Sequence, residues 1–127
     1  MDALVDYRLG SSAAERDRLL AQCRLFRTCA TQMLDRIDLP DAARALDVGC
    51  GPLGILDLLS RKVGETGTVA GLDTDPRMIT WARQAVTEYG LGNVGLLHGP
   101  LSPQVVPDAS CDLVHCRLVL VNNTGPE

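Results

Sequence analysis

The sequence predicts an α/β fold in which a mostly parallel sheet, with helices on both faces, follows an N-terminal helical cap. From residue 44 onward, short apolar runs closed by glycine or aspartate alternate with stretches of helical period, a succession that builds parallel sheets. The first of these runs opens directly into a loop with glycine at positions 49, 51 and 54. Upstream of it, apolar residues recur at helical steps among arginines. At 127 residues and 46 % hydrophobic the chain suffices for one core, not for two ordinary domains. The cap is placed at residues 1–40 and the core at residues 41–127, together one folding unit.

Ser12 and Glu15 have the spacing of a capping box, and Leu19, Cys23, Phe26, Ala30, Met33 and Ile37 follow at steps of three or four. This predicts one long amphipathic helix ending near Leu39-Pro40, with Arg16, Arg18, Arg24, Arg27 and Arg36 on a solvated face. "ALDV" is the first strand, followed by a helix through Ile55, Leu58 and Leu59. "TVAGLD" is the second, followed by a helix from Pro76 through Met78, Ala82, Ala85 and Tyr89 to Gly90. "NVGLLH" reads as a third strand and "CDLVHC" as a fourth, with Arg117 to Asn122 a short helix or loop after it.

Composition narrows the partners. A formal net charge of -4 without a basic stripe, and only 3 % aromatic residues, disfavour nucleic acid. The five cysteines, Cys23, Cys29, Cys50, Cys111 and Cys116, contain no CxxC pair and no histidine at zinc-ligand spacing. Reduced thiols in a cytoplasm, and no metal, are expected. "MDALVDYRLGSS" has no cationic segment followed by an apolar run, and no apolar stretch reaches about 18 residues, so neither secretion nor membrane insertion is expected.

In an open parallel sheet, ligands sit beyond the carboxyl ends of the strands, and a glycine turn after the first strand lets backbone N–H groups face them. Gly49 to Gly54 match GxGxxG, and Asp73 closes the second strand 22 residues after Gly51, which alone suggests a dinucleotide. Asp47, two positions before Gly49, argues otherwise: a carboxylate facing the pocket repels a pyrophosphate and suits an ammonium or a sulfonium. Asp73 is placed to accept both hydroxyls of a ribose. S-adenosylmethionine carries a ribose, an adenine, an ammonium and a sulfonium without any phosphate.

"ALDVGCGPLG", "VAGLDTDPRMITWAR" and "DASCDLVHCRLVLVN" resemble the first, second and fourth motifs of class I S-adenosylmethionine-dependent methyltransferases, in order and spacing. "YRLGSSAAERDRLLAQ" resembles the helical cap of bacterial small-molecule methyltransferases similar to the ubiquinone and menaquinone biosynthesis branch. The resemblance implies a Rossmann-like fold, methyl transfer to a small molecule, and S-adenosyl-L-methionine as cofactor. It places Asp47, Gly49, Cys50 and Gly51 around the methionine part, Asp73 on the ribose hydroxyls, and Thr74 and Met78 beside the adenine. Cys116 and Arg117 would lie near the methyl-transfer centre, and Tyr7 and Gln22 of the cap would close over the cofactor.

The pattern is broken in three places. Pro100 stands where the family has an acidic acceptor for the adenine amino group, leaving Leu101, Ser102 or apolar packing to recognise the base and predicting weaker cofactor affinity. Leu53 replaces the third glycine, which comes one place later at Gly54. The chain stops at "VNNTGPE", before the fifth strand of the family order 3-2-1-4-5-7-6. That predicts an open fourth-strand edge, covered by a homodimer partner or another chain, with the C-terminal strands absent. The alternatives are a truncated, non-catalytic ligand- or partner-binding protein and an NAD-binding Rossmann domain.

The catalytic candidates are His115 and Arg117, each with a structural counterpart: a satisfied core histidine and a salt bridge. His98, Cys50 and Trp81 read first as structural or packing residues.

Overall fold

The structure, a computed structural model, describes residues 12–104, 106 and 110–116. Tyr7, Arg117 and the Arg117 to Asn122 segment lie outside the described residues. Four strands, β1 (Arg44–Val48), β2 (Thr68–Asp73), β3 (Val94–His98) and β4 (Leu113–Cys116), form one parallel sheet in the order β3-β2-β1-β4. The chain therefore steps outward from β1 through β2 to β3 and then returns to the other side of β1. That reversal leaves a crevice at the carboxyl ends of β1 and β4, the place where such sheets bind ligands.

The predicted long helix is two: α1 (Ser12–Leu25) and α2 (Arg27–Asp35), interrupted at Phe26 with φ -99° and ψ 3°. The interruption turns the apolar stripe. Ala30 and Leu34 are buried, Leu20, Ile37 and Leu39 pack beside them, and Phe26 and Met33 of the predicted stripe are exposed. Arg27 is not on a solvated face either. It pairs with the buried Asp57 of α3 (Leu56–Val63), which also receives Arg61 at 3.4 Å, so the cap is tied to the core by charge as well as by packing.

The strands alternate their side chains between two faces. Ala45, Val69, Leu96 and Leu113 meet Leu56, Leu59 and Val63 of α3, Ile79, Ala82 and Ala85 of α4 (Pro76–Glu88), and the cap. Leu56 and Leu59, at most 0 % exposed, each contribute about 1.5–3 kcal/mol by leaving water. The other face carries Leu46, Val48 and Leu72, covered by Val106 and Cys111 of the connection between β3 and β4. Among the described residues, all helices packed on the sheet lie on the first face. The second-face helices that the alternation predicts are not among them, and Val114 on that face is 55 % exposed. A largely apolar cleft of about 480 Å³ on that side reaches Arg44, Thr68 and Asn93 at the amino ends of the strands, remote from the crevice.

Element ends follow from local chemistry. Asp75 caps α4 by accepting the Arg77 N–H at 2.9 Å, and Pro76 occupies the first turn, where no N–H is required. α3 ends at Gly64, whose φ of 74° suits a residue without a Cβ. Asn93 then donates to the carbonyls of Ser60 and Gly64 at 3.2 and 3.0 Å, fastening the end of α3 to the start of β3.

Candidate functional site

The loop after β1 bends through positive φ at Gly49 (71°), Gly51 (59°) and Gly54 (55°). Its first N–H groups do not face outward as the sequence predicts. Gly49 and Cys50 donate to the Leu72 carbonyl at 2.7 and 3.0 Å, and Gly51 donates to Asp73 Oδ2 at 3.0 Å. A phosphate would find these donors already used. Gly51 instead offers open space, since a Cβ there would meet nothing within 4 Å.

Gly54 is the tight position. A Cβ would lie 2.6 Å from Asp47 Oδ2 and 2.7 Å from the Cys50 carbonyl oxygen. Leu53, in the place of the family's third glycine, is buried in the core, so the left-handed turn is taken one residue later. Asp47 is 2 % exposed, buried where the sequence places it facing the ligand. Its Oδ2 accepts the Ile55 N–H at 3.2 Å and its Oδ1 lies 2.8 Å from His115 Nδ1. The carboxylate thus acts beneath the loop as a fixed negative charge.

Asp73, at the end of β2, is half-buried and accepts one backbone N–H on each oxygen: Gly51 on Oδ2 and Asp75 on Oδ1, at 3.0 and 2.9 Å. Each carboxylate oxygen has two acceptor positions, so one remains on each. Beside it, Thr74 is exposed and its carbonyl is 3.0 Å from His98 Nε2, which makes His98 a tie between the ends of β2 and β3. Gly99 N–H donates to the Asp73 carbonyl at 3.0 Å, bringing the exposed Pro100 and Leu101 to the same end of the sheet. Met78 is half-buried in the first turn of α4, Cys116 is exposed at the end of β4, and Gln22 is exposed on α1.

One arrangement here escapes the sequence pattern. Arg77 joins Asp75 at 2.7 Å to Glu15 of α1 at 3.0 Å and lies 5.7 Å from the Trp81 ring centre. Glu15 carries the one signal available, an acid near a helix start, although its carboxylate serves α4. The Arg77 hydrogen bonds hold the Asp75 carboxyl below its usual range. Burial, chiefly, pushes the thiols of Cys50 and Cys23 up, and the Asp47 charge adds to both. Cys50 is therefore an inert packing residue. Among the described residues no group of histidine, cysteine, aspartate or glutamate is placed to hold a metal ion, and no helix is long and apolar enough to cross a membrane.

Residues 45–127 match the family model described as a methyltransferase domain. A demethylmenaquinone methyltransferase of Geobacillus kaustophilus is 39 % identical over 82 residues, 65 % of this chain and 35 % of its own length. An aklanonic acid methyltransferase of a Streptomyces species is 35 % identical over 103 residues, 81 % of this chain and 46 % of its own. A solved S-adenosylmethionine-dependent methyltransferase of Aquifex aeolicus superposes with a TM-score of 0.68 at 29 % identity, covering 75 % of this chain and 50 % of that one. The chain thus spans between a third and a half of those two sequence relatives.

Proposed function

Since the chain belongs to the methyltransferase domain family, we propose that it binds S-adenosylmethionine at the carboxyl ends of β1 and β2 and serves methyl transfer to a small-molecule acceptor. The observation that carries this is Asp73: each of its oxygens is fixed by a backbone N–H and keeps one acceptor position, a match to the two hydroxyls of a ribose. The residues around it fit the rest of the ligand. The open space at Gly51 admits close approach to the loop, and the buried Asp47 charge favours a cation above it. When bound, the ligand supplies a methyl group already activated by a positive sulfur.

Gly49, Cys50 and Gly51 shape the methionine end, Thr74, Met78, Pro100 and Leu101 flank the adenine, and Gln22 of the cap covers the site. Cys116 faces the acceptor. The acceptor is a small organic molecule, as the names of the demethylmenaquinone and aklanonic acid relatives state for those proteins. The free thiols of all five cysteines suit a reducing cytoplasm. The outer edge of β4 pairs with no strand among the described residues and is where a second copy or partner chain would add one.

Calorimetric titration with S-adenosylhomocysteine and, separately, NAD tests the proposal. Saturable binding of the first and none of the second is expected. Binding of NAD in its place would refute it, because the loop donors that a pyrophosphate needs are engaged within the protein.

A further inference from the structure

β1 and β4 are neighbours in the sheet, and their register sets Asp47 beside His115. The two side chains share the helix-covered face near the carboxyl ends. Asp47 Oδ1 lies 2.8 Å from His115 Nδ1, while Ile55 N–H fixes the other oxygen at 3.2 Å, so the carboxylate is held from both sides. A carboxylate only accepts hydrogen bonds. The proton of the pair therefore sits on Nδ1, so that Nε2 is the nitrogen whose lone pair is presented when the ring carries a single proton. Among the described residues Nε2 has no hydrogen-bond partner, and the side chain keeps 12 % of its exposure.

The ionisable groups within electrostatic reach of Asp47 include Cys23 on α1 and Cys50 on the loop. Burial keeps both thiols protonated at neutral pH, so Asp47 is the charge that Nδ1 faces.

We infer that Asp47 and His115 form a general-base dyad in which His115 Nε2 takes the proton of an acceptor hydroxyl during methyl transfer; the inference rests on the S-adenosylmethionine reading above. His115 is the catalytic group. Asp47 is a positioning residue that fixes the tautomer and stabilises the imidazolium once it forms. A neutral hydroxyl becomes a competent nucleophile as its proton leaves, whereas a carboxylate acceptor needs no base, so the dyad selects a hydroxyl-bearing acceptor. The hydroxyl proton moves to Nε2 and the oxygen lone pair bonds the methyl carbon. The electrons of the broken carbon–sulfur bond remain on sulfur as a neutral thioether, and the imidazolium returns its proton to water.

The two candidate ligands, S-adenosylmethionine and S-adenosylhomocysteine, differ by the methyl group and its positive charge, which a base aimed at that methyl must sense. The chain has two histidines, so their imidazole resonances are assignable with His115→Gln. The test is nitrogen NMR of both imidazoles in the full chain at one fixed pH, alone and saturated with each ligand. The His115 Nε2 resonance should move between the S-adenosylmethionine and S-adenosylhomocysteine complexes, because the methyl group and its positive charge lie against that nitrogen in the first complex and are missing from the second. The His98 resonances, with Nε2 tied to the Thr74 carbonyl, should be alike in both complexes, and the His115 proton should sit on Nδ1. Identical His115 resonances in two demonstrated complexes, or a proton on Nε2 alone, would overturn the dyad while leaving cofactor binding intact. Absence of binding by either ligand would overturn the cofactor reading and the dyad's role with it.

Discussion

Gly54 lies so close to Asp47 that a methyl group on its Cα would sit 2.6 Å from Asp47 Oδ2. The same methyl group would meet the Cys50 carbonyl oxygen at 2.7 Å, and the residue already holds a φ of 55°. Gly54→Ala should therefore cost about 2–5 kcal/mol, the sum of a left-handed backbone penalty and overpacking. Gly51→Ala, with open space around it, should cost about 1–2 kcal/mol from its backbone alone. Urea unfolding of the two variants checks the difference, and equal losses would contradict it.

Arg27 and Asp57 tie the cap to α3. Asp57 is 8 % exposed, and its Oδ1 has no hydrogen-bond partner among the described residues. Arg27→Ala leaves that carboxylate with the exposed Arg61 and should cost about 2–3 kcal/mol, less than a fully buried pair because Arg27 is itself partly solvated. Arg61→Ala should change stability by less than about 0.5 kcal/mol. A double-mutant cycle with Asp57→Asn would show coupling at Arg27 and little at Arg61.

The thiols should divide by burial. Cys29 and Cys116 are exposed, whereas Cys50 is 2 % exposed and its thiol is pushed up by burial and by the charges of Asp47 and Asp73. Iodoacetamide should label Cys29 and Cys116 first and spare Cys50 until the protein unfolds. Raised folded-state thiol pKa values stabilise the fold below the unfolded value of about 9, and the contribution falls as pH rises beyond it. Thermal unfolding between neutral pH and pH about 10 should show that loss, reduced in Cys23→Ala.

Asp75 gives the opposite sign. Its folded pKa lies below the ordinary aspartate value of 3.8, chiefly through the Arg77 hydrogen bond, so its contribution is present above that value and disappears as pH falls through the lower folded one. Asp75→Asn should lose stability at neutral pH, by about 0.5–1.5 kcal/mol given its exposure to solvent, and should show a shallower decline on acidification.

Strand positions were the most legible feature of the sequence. "TVAGLD" is β2 residue for residue, and the carboxyl-end positions of Asp47 and Asp73 follow once the strands are placed. The break at Phe26 was not legible, because a helical apolar period carries no record of a single residue leaving helical geometry. Nor was the partner of Asp47. His115 is 68 residues away in the chain, and only the parallel register of β1 and β4 brings the two together. The same holds for Arg27 and Arg77, whose long side chains reach acids on other elements. The outward donors expected of the glycine loop turn inward because Leu72 and Asp73, on the adjacent strand, accept them.

Ligand recognition through Asp73 is the central claim, and the most direct measurement is calorimetric binding of S-adenosylhomocysteine to the purified chain and to Asp73→Ala, both checked for folding by circular dichroism. Two charge-assisted hydrogen bonds to a ribose predict that Asp73→Ala weakens binding by about a hundredfold or more. Pro100, which has neither a side-chain acceptor nor an N–H to offer an adenine, predicts wild-type affinity weaker than low micromolar. Unchanged affinity in a folded Asp73→Ala chain would contradict the account, since the ligand would then be held elsewhere than at the ends of β1 and β2.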